Sequence, residues 1–347
     1  MSTQSAAARA PASADRARRL TEVVFRVREL GIVGGLALLI AVTAVLEPRF
    51  VHADSLRNLA LNAAIFAIVA AGETLVIVTR NVDLSVGSVL GLAAFMAGDL
   101  LSNHPGLPIA LVILAGMGLG AACGVLNGVL VTFGRVPALV VTLGTLYVFR
   151  GLAFLWTNGR QVNAETLPDS FLGIGTGTVL GIPTLALIAL VVVLLVGQWM
   201  RDYRAGRQLY AVGSNPDAAR LAGVRSGRLV MGAFIASGAL AGLGGVLFTA
   251  RFGTVDATAG TGYELTVIAA AVVGGVPIFG GAGTVYGAAL GALLLGTITS
   301  SLIVLKVAAF WQQAAVGALL LLAIAIDRFV GLRLEAALRQ RSARRAA

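Results

Sequence analysis

Charge is scarce in this sequence: Asp, Glu, Lys and Arg make up 12% of its 347 residues, about half the share of a typical soluble domain. Cysteine is nearly absent, and the one present, Cys123, lies in an apolar run, which excludes an intrachain disulfide and a cysteine-based metal site. The two histidines, His52 and His104, flank apolar segments and read as loop residues, so no metal is expected. Lys306 is the only lysine, and Ile303-Val304-Leu305 before it is no phosphate-binding loop. Such a loop needs glycine N–H groups around the phosphates and a lysine that reaches them. The chain therefore cannot hydrolyse ATP by that mechanism. No nucleophile with a base partner stands out, which argues against an enzyme. A chain of interior carboxylates and histidines, the mark of a proton relay, is missing too.

What is abundant is apolar sequence, 58% of the chain. It recurs in stretches long enough, or nearly so, to cross about 30 Å of hydrocarbon as helices. They lack the polar face of a soluble amphipathic helix. The expected architecture is all-α, a polytopic helix bundle in a lipid bilayer. Ten spans are expected, at 30–47, 59–79, 84–101, 108–133, 137–157, 180–199, 229–250, 263–278, 283–305 and 309–327. Residues 1–29, rich in Ala, Ser and Arg, read as a disordered cytoplasmic tail. Residues 30–328 form the membrane domain and 329–347 a basic cytoplasmic tail. The start resembles the basic region of a signal peptide. No cleavage site follows, and Glu47-Pro48-Arg49-Phe50 fits an uncleaved first helix.

The net charge of +10 would suggest nucleic acid as the partner of a soluble protein. Here its placement follows the positive-inside rule, and no nucleic acid is expected. With both termini cytoplasmic, the first tail, the loop after the sixth span and the last tail each hold six arginines. With Arg80 and Arg135 these make 20 of the 26 basic residues. Arg49, Arg57, Arg160, Arg251 and Lys306 fall outside, and Arg150 lies near the outer end of the fifth span.

Small residues mark helix contacts. Gly116, Gly120, Gly124 and Gly128 form one slowly drifting stripe, with shorter ones at Gly238 and Gly242 and at Gly283, Gly287 and Gly291. Gly87-Ser88-Val89-Leu90-Gly91 echoes Gly283-Thr284-Val285-Tyr286-Gly287, and both follow a break after an apolar span. Broken helices in corresponding repeats often bracket a transport pathway. Thr79–Ser88 interrupts the apolar sequence without a turn-rich loop, and two readings are open. One is a tight cytoplasmic turn with an Asp or Ser cap. The other is a broken helix lining an aqueous cavity. Glu73 and Asp99 must face the bundle interior or water. Asn127, Thr142, Thr145, Gln312 and Gln313 also suit an interior. Weak, scattered hydrogen-bonding groups fit a neutral solute better than a tight charged site does.

The longest cytoplasmic loop, 201–228, contains a capped helix: Ser214 or Asn215 as cap, Pro216 in the first turn, Asp217 at the positive end and a stop at Gly223. Such a helix is a rigid lever. Asp217-Ala218-Ala219 with Gly223 resembles the EAA loop of ABC importer permeases, with Asp in place of Glu. Asn81-Val82-Asp83-Leu84-Ser85-Val86-Gly87-Ser88, Leu126-Asn127-Gly128, Pro137–Thr145 and Gly280-Gly281-Ala282-Gly283-Thr284 resemble the ribose/xylose/rhamnose permease family, in matching order from about residue 31 to 328. Thr79-Arg80-Asn81, Tyr147–Leu152 and Phe310-Trp311-Gln312-Gln313 are most similar to rhamnose permeases, with autoinducer-2 permeases close by.

The resemblance implies an ABC importer permease in a bacterial inner membrane. Its partners would be an ATPase subunit that binds the ATP, a periplasmic or extracellular sugar-binding protein and a second permease, copy or paralogue. No cofactor of its own is expected. It implies coupling to the ATPase through Asn215, Pro216, Asp217, Ala218, Ala219 and Gly223. A sugar path near Asn81, Asp83, Ser85, Asn127 and Thr142 fits this scheme, as does docking of the binding protein at Arg49, Arg57, Arg160 and Arg251. An ion-coupled secondary transporter of a small polar solute is the alternative.

Overall fold

A computed structural model describes residues 31–308, 310–325 and 329. Thirteen α-helices follow one another among them. The first is α1 (Gly31–Leu46). Next come α2 (Ala53–Val78), α3 (Val86–Asn103), α4 (Ile109–Thr132), α5 (Ala138–Thr157), α6 (Asp169–Thr176), α7 (Thr184–Asp202), α8 (Arg204–Ser214), α9 (Pro216–Leu221), α10 (Ser226–Phe252), α11 (Tyr263–Val273) and α12 (Val285–Val304). The last is α13 (Phe310–Ala325). A two-stranded ribbon, β1 (Thr178–Val179) against β2 (Ile182–Pro183), is antiparallel.

Seven helices are long and apolar enough to cross a membrane: α2, α3, α4, α5, α7, α10 and α12. The other three expected spans are the shorter apolar helices α1, α11 and α13. The tails expected at 1–29 and 329–347, and the final residues of the last span, lie outside the described residues, Phe329 excepted.

The core lies on α2, α3, α10 and α11. From Ile65 to Val78, nearly every residue of α2 is buried, on all faces, which explains its unbroken apolar sequence. By contrast α4, α5 and α7 keep exposed leucines and valines on their outer faces, as helices in lipid do. The glycine stripe of α4 meets that of α10. A Cβ on Gly120 would strike the Gly238 carbonyl oxygen and one on Gly238 the Gly120 carbonyl oxygen; one on Gly242 would strike the Gly116 carbonyl oxygen, and one on Gly116 the Val246 side chain. Without side chains between them, the two backbones touch, and dispersion between helices replaces the missing hydrophobic drive.

Three boundaries differ from expectation. α2 starts at Ala53, six residues before 59, because its polar first turn carries Asp54, Ser55 and Arg57 beyond the apolar run. α7 starts at Thr184, since the tight turn of the β ribbon takes the left-handed backbone at Leu180 and Gly181. α11 stops at Val273, well short of 278, where the chain turns through Gly274 and Gly275, the latter at φ 102°. Its 11 residues rise about 17 Å, roughly half the hydrocarbon. The chain enters α11 through the non-helical run 253–262, which packs against the first turns of α3. Gly260 lies against the Gly87 carbonyl and Gly91 against that of Ala259. Arg150 of α5 holds this run by donating to the carbonyls of Ala257 (2.9 Å) and Ala259 (2.6 Å).

Candidate functional site: a buried polar network and an exposed lever

The break between α2 and α3 carries a buried hydrogen-bond network, in which Glu73 Oε2 has no hydrogen-bond partner among the described residues. Asp83 Oδ1 accepts from the Ser85 N–H (2.9 Å), the Ser85 hydroxyl (2.6 Å) and the Asn127 amide of α4 (3.4 Å). Asn127 also donates to Ser85 Oγ (2.8 Å), and its own oxygen accepts from Thr145 of α5 (2.7 Å). Thr142, one turn away, donates to the Val82 carbonyl (3.1 Å). From below, Glu73 Oε1 accepts the Asp83 N–H (2.9 Å). Glu73, Asp83, Ser85, Asn127 and Thr142 are all buried.

The structure thus brings together four of the five expected path residues and adds Glu73 and Thr145. Asn81 stands apart, donating to the Thr79 carbonyl (3.0 Å) and hydroxyl (2.9 Å). Neither reading of the break describes its geometry fully. Asp83 folds the chain locally as an Asx turn and does not cap α3, and its partners come from two neighbouring helices. Ten residues separate Glu73 from Asp83, and only the return of the chain across the break pairs them.

A cavity of about 480 Å³ lies between α2, α11, α12 and α13. Thr261, Thr266, Thr299, Gln312 and Gln313 line it beside Phe66 and Tyr263, whose rings pack 4.7 Å apart. Hydroxyls, amides and aromatic faces without a charged side chain suit a neutral polyhydroxylated molecule. The pair Gln312 and Gln313 was expected inside; the wall offered by 261–266 was hidden, because sequence distance conceals that this run and α13 face one cavity.

At one end of the bundle the 201–228 loop forms two helices, not one: α8 and the short α9. Asn215 caps α9, accepting the Ala218 N–H at 3.0 Å, and Gly223 follows with φ 77°. Ala219 is buried against the bundle. Asp217, Ala218, Arg220 and Leu221 point away, and Leu221 is 87% exposed. An apolar side chain at the tip of a polar loop is a signal that the sequence offered and the motif obscured. Within α8, Tyr210 donates to the Gly283 carbonyl (2.9 Å), and burial pushes its phenol up to about 12.

The opposite end carries the four expected arginines. Arg57 and Arg251 share one cavity of about 460 Å³ with Asp54, Asn58 and Phe252. Arg57 donates to the Thr176 carbonyl and Arg251 to Asn62 (2.9 Å). Arg160 is separate and paired with Asp99 at 3.3 Å, and Arg49 is exposed on the short 3₁₀ turn Pro48–Val51.

Residues 55–324 match the family described as branched-chain amino acid transport system / permease component. The ribose import permease protein RbsC of Haemophilus influenzae is 37% identical over 298 residues, 85% of this chain and 92% of that protein. The autoinducer 2 import system permease protein LsrC of Escherichia coli K12 is 36% identical over 313 residues, 90% of each chain. Its counterpart in Salmonella choleraesuis is 38% identical over 282 residues, 81% of this chain and 80% of that protein. No solved structure matches the chain. A family match over most of the chain, on a bundle of membrane-length helices, makes this protein a member of that permease family.

Proposed function

We propose that the chain is the membrane-spanning permease of an ABC importer and moves a monosaccharide inward across a bacterial inner membrane. The observation that carries this reading is identity of 36–38% to sugar-import permeases over four-fifths or more of their length. The family description names branched-chain amino acids. The uncharged cavity supports a sugar over a zwitterion, whose two charges would call for opposite charges in the wall. Rhamnose or a related sugar is the substrate proposed from the motifs at Thr79–Asn81, Tyr147–Leu152 and Phe310–Gln313; ribose and the autoinducer-2 sugar come from the relatives.

In this scheme a loaded binding protein docks at the outer end. There Arg57 and Arg251 offer positive charge on one cavity, Arg49 is exposed, and Arg160 is already paired. Rim charges of this kind set encounter rate more than affinity. A partner ATPase binds ATP and pushes on α9, so Asn215, Pro216, Asp217, Ala218, Ala219 and Gly223 form the coupling element. The termini lie on that same, cytoplasmic side, and a second permease completes the pore. The buried carboxylates Glu73 and Asp83 are the feature of the network that the alternative, ion coupling, would use.

Uptake of labelled rhamnose, ribose and leucine into cells expressing the full system tests the reading. ATP-dependent uptake of one sugar is expected. Uptake of leucine alone, or uptake that collapses with membrane potential and ignores ATP, would overturn it.

The exposed tip of α9 gives a second prediction. Leu221→Arg puts a charge where the ATPase is expected to receive an apolar side chain, and burying a polar group there without a partner costs about 2 kcal/mol or more. Uptake should fall by about tenfold or more, with membrane insertion intact. Co-purification of the ATPase with the tagged permease measures the loss. Undiminished co-purification and uptake would remove α9 from the interface.

A further inference from the structure

Three interruptions of the helical backbone meet under the lever. The first is the end of α2, Val78 to Arg80. The second is the end of α8, Gly213 and Ser214, directly before the cap of α9. The third is the turn at Gly280 and Gly281 before α12. Their backbones are laced together: Gly281 N–H donates to the Val78 carbonyl at 2.9 Å. A Cβ on Gly213 would strike that same carbonyl, and one on Gly281 would lie 2.8 Å from Ser214 Cα.

Arg80 closes the knot. Its Nε donates to the Gly213 carbonyl and its Nη2 to the Ser214 carbonyl at 2.7 Å. The carbonyls at the end of α8 are where a cation is most favoured. The fork of the guanidinium holds both at once, which a lysine ammonium does not do in a fixed geometry. To reach them the residue adopts φ 66°, a left-handed backbone that costs a side-chain-bearing residue free energy. No carboxylate forms an ion pair with Arg80 among the described residues. Two residues on, Val82 accepts from Thr142, and Asp83 enters the buried network.

We infer that Arg80 is a positioning residue for transport: it fastens the root of α9 to the α2–α3 break, so that force on the lever moves the segment carrying Asp83. This rests on the importer reading above. It adds the mechanical link between the ATPase contact and the bundle interior. The link is short, since Ser214 precedes the cap and Val82 lies two residues from Arg80. On the α8 side it ends on two adjacent backbone carbonyls held by one planar fork.

The test uses the complete reconstituted importer in liposomes, with permease, ATPase and sugar-loaded binding protein. Sugar uptake, basal ATP hydrolysis and stimulated hydrolysis are measured for wild type, Arg80→Gly and Arg80→Lys. Glycine accepts φ 66° without strain, so Arg80→Gly removes the fork while easing the backbone. The expected result is an assembled complex with basal hydrolysis near wild type. Sugar moved per ATP should fall by about tenfold, in the range of coupling free energies between sites. Arg80→Lys should lie between the two. A purely structural role would lower assembly and basal hydrolysis together and leave the sugar-to-ATP ratio of the surviving complexes unchanged. An unchanged ratio in Arg80→Gly overturns the inference. Should Arg80→Gly not assemble, the ratio in Arg80→Lys decides in the same way: lowered supports the link, unchanged refutes it. Failure of wild type to couple uptake to ATP would instead refute the importer reading.

Discussion

Gly238→Val is expected to abolish accumulation of folded permease, whereas Gly118→Val and Gly232→Val on the same two helices are expected to leave it near wild type. The difference is one of distance between backbones. A Cβ at Gly238 meets the carbonyl oxygen of Gly120, and Gly120 meets that of Gly238. Neither obstacle is a side chain that can rotate away, so α4 and α10 must separate along the seam. Ordinary overpacking costs about 1–3 kcal/mol, and forcing two backbones apart exceeds that range. A Cβ at Gly118 or Gly232 has nothing within 4 Å. There valine adds only apolar surface on an exposed face, which lipid tolerates.

Detergent-solubilised, fluorescently tagged protein, run by size exclusion and heated in steps, gives the comparison directly. A monodisperse Gly238→Val peak with wild-type thermal stability would show that the two helices do not touch at this point. Loss of Gly118→Val to the same degree would show that the tolerance of glycine substitution in this bundle is not set by the seam.

This pairing of stripes was legible in the sequence because small residues every fourth position leave few alternatives for a membrane helix. The helices themselves were legible for the same reason: hydropathy reports length, and charge reports ends. What hydropathy cannot report is where backbone stops being helical inside an apolar run. Val267 to Val276 is uniformly apolar but for Gly274 and Gly275, and the chain leaves the helix there. Run 253–262 reads as an outer loop, yet its carbonyls are bonded by Arg150, twelve residues into α5. Arg150 was the available clue, since an arginine in a span must find partners. The cap of α9 was legible to the residue, because Asn-Pro-Asp is local chemistry. Its second helix partner, α8, was not, since Arg204–Ser214 is a short amphipathic stretch broken by two arginines, with no span to mark it. The buried network was half legible. Asp83, Ser85 and Asn127 announced themselves as polar groups near apolar sequence, while the contact of Glu73 with Asp83 depends on tertiary return.

That network carries the second large effect. Asp83→Ala should destabilise the protein by about 2–5 kcal/mol, since it leaves the Ser85 N–H, the Ser85 hydroxyl and one Asn127 donor without their acceptor in a dry interior. The Glu73 carboxylate loses nothing directly, because its bond is to the backbone of residue 83. Asp83→Asn keeps an oxygen in place for both Ser85 donors, so its stability should stay much closer to wild type. The pair of variants separates two roles that the geometry alone leaves joined. If the sugar passes by this break, as the sequence leads one to expect, Asp83→Asn alters hydrogen-bonding along its path, and uptake should fall although the fold survives. Thermal stability and uptake are measured on the same preparations. An Asp83→Asn permease that is stable and transports at the wild-type rate would show that the carboxylate's charge has no part in transport. The break would then be a structural joint, and the wall of the path would have to be sought at the hydroxyl- and amide-lined cavity around Thr261, Thr266 and Gln313.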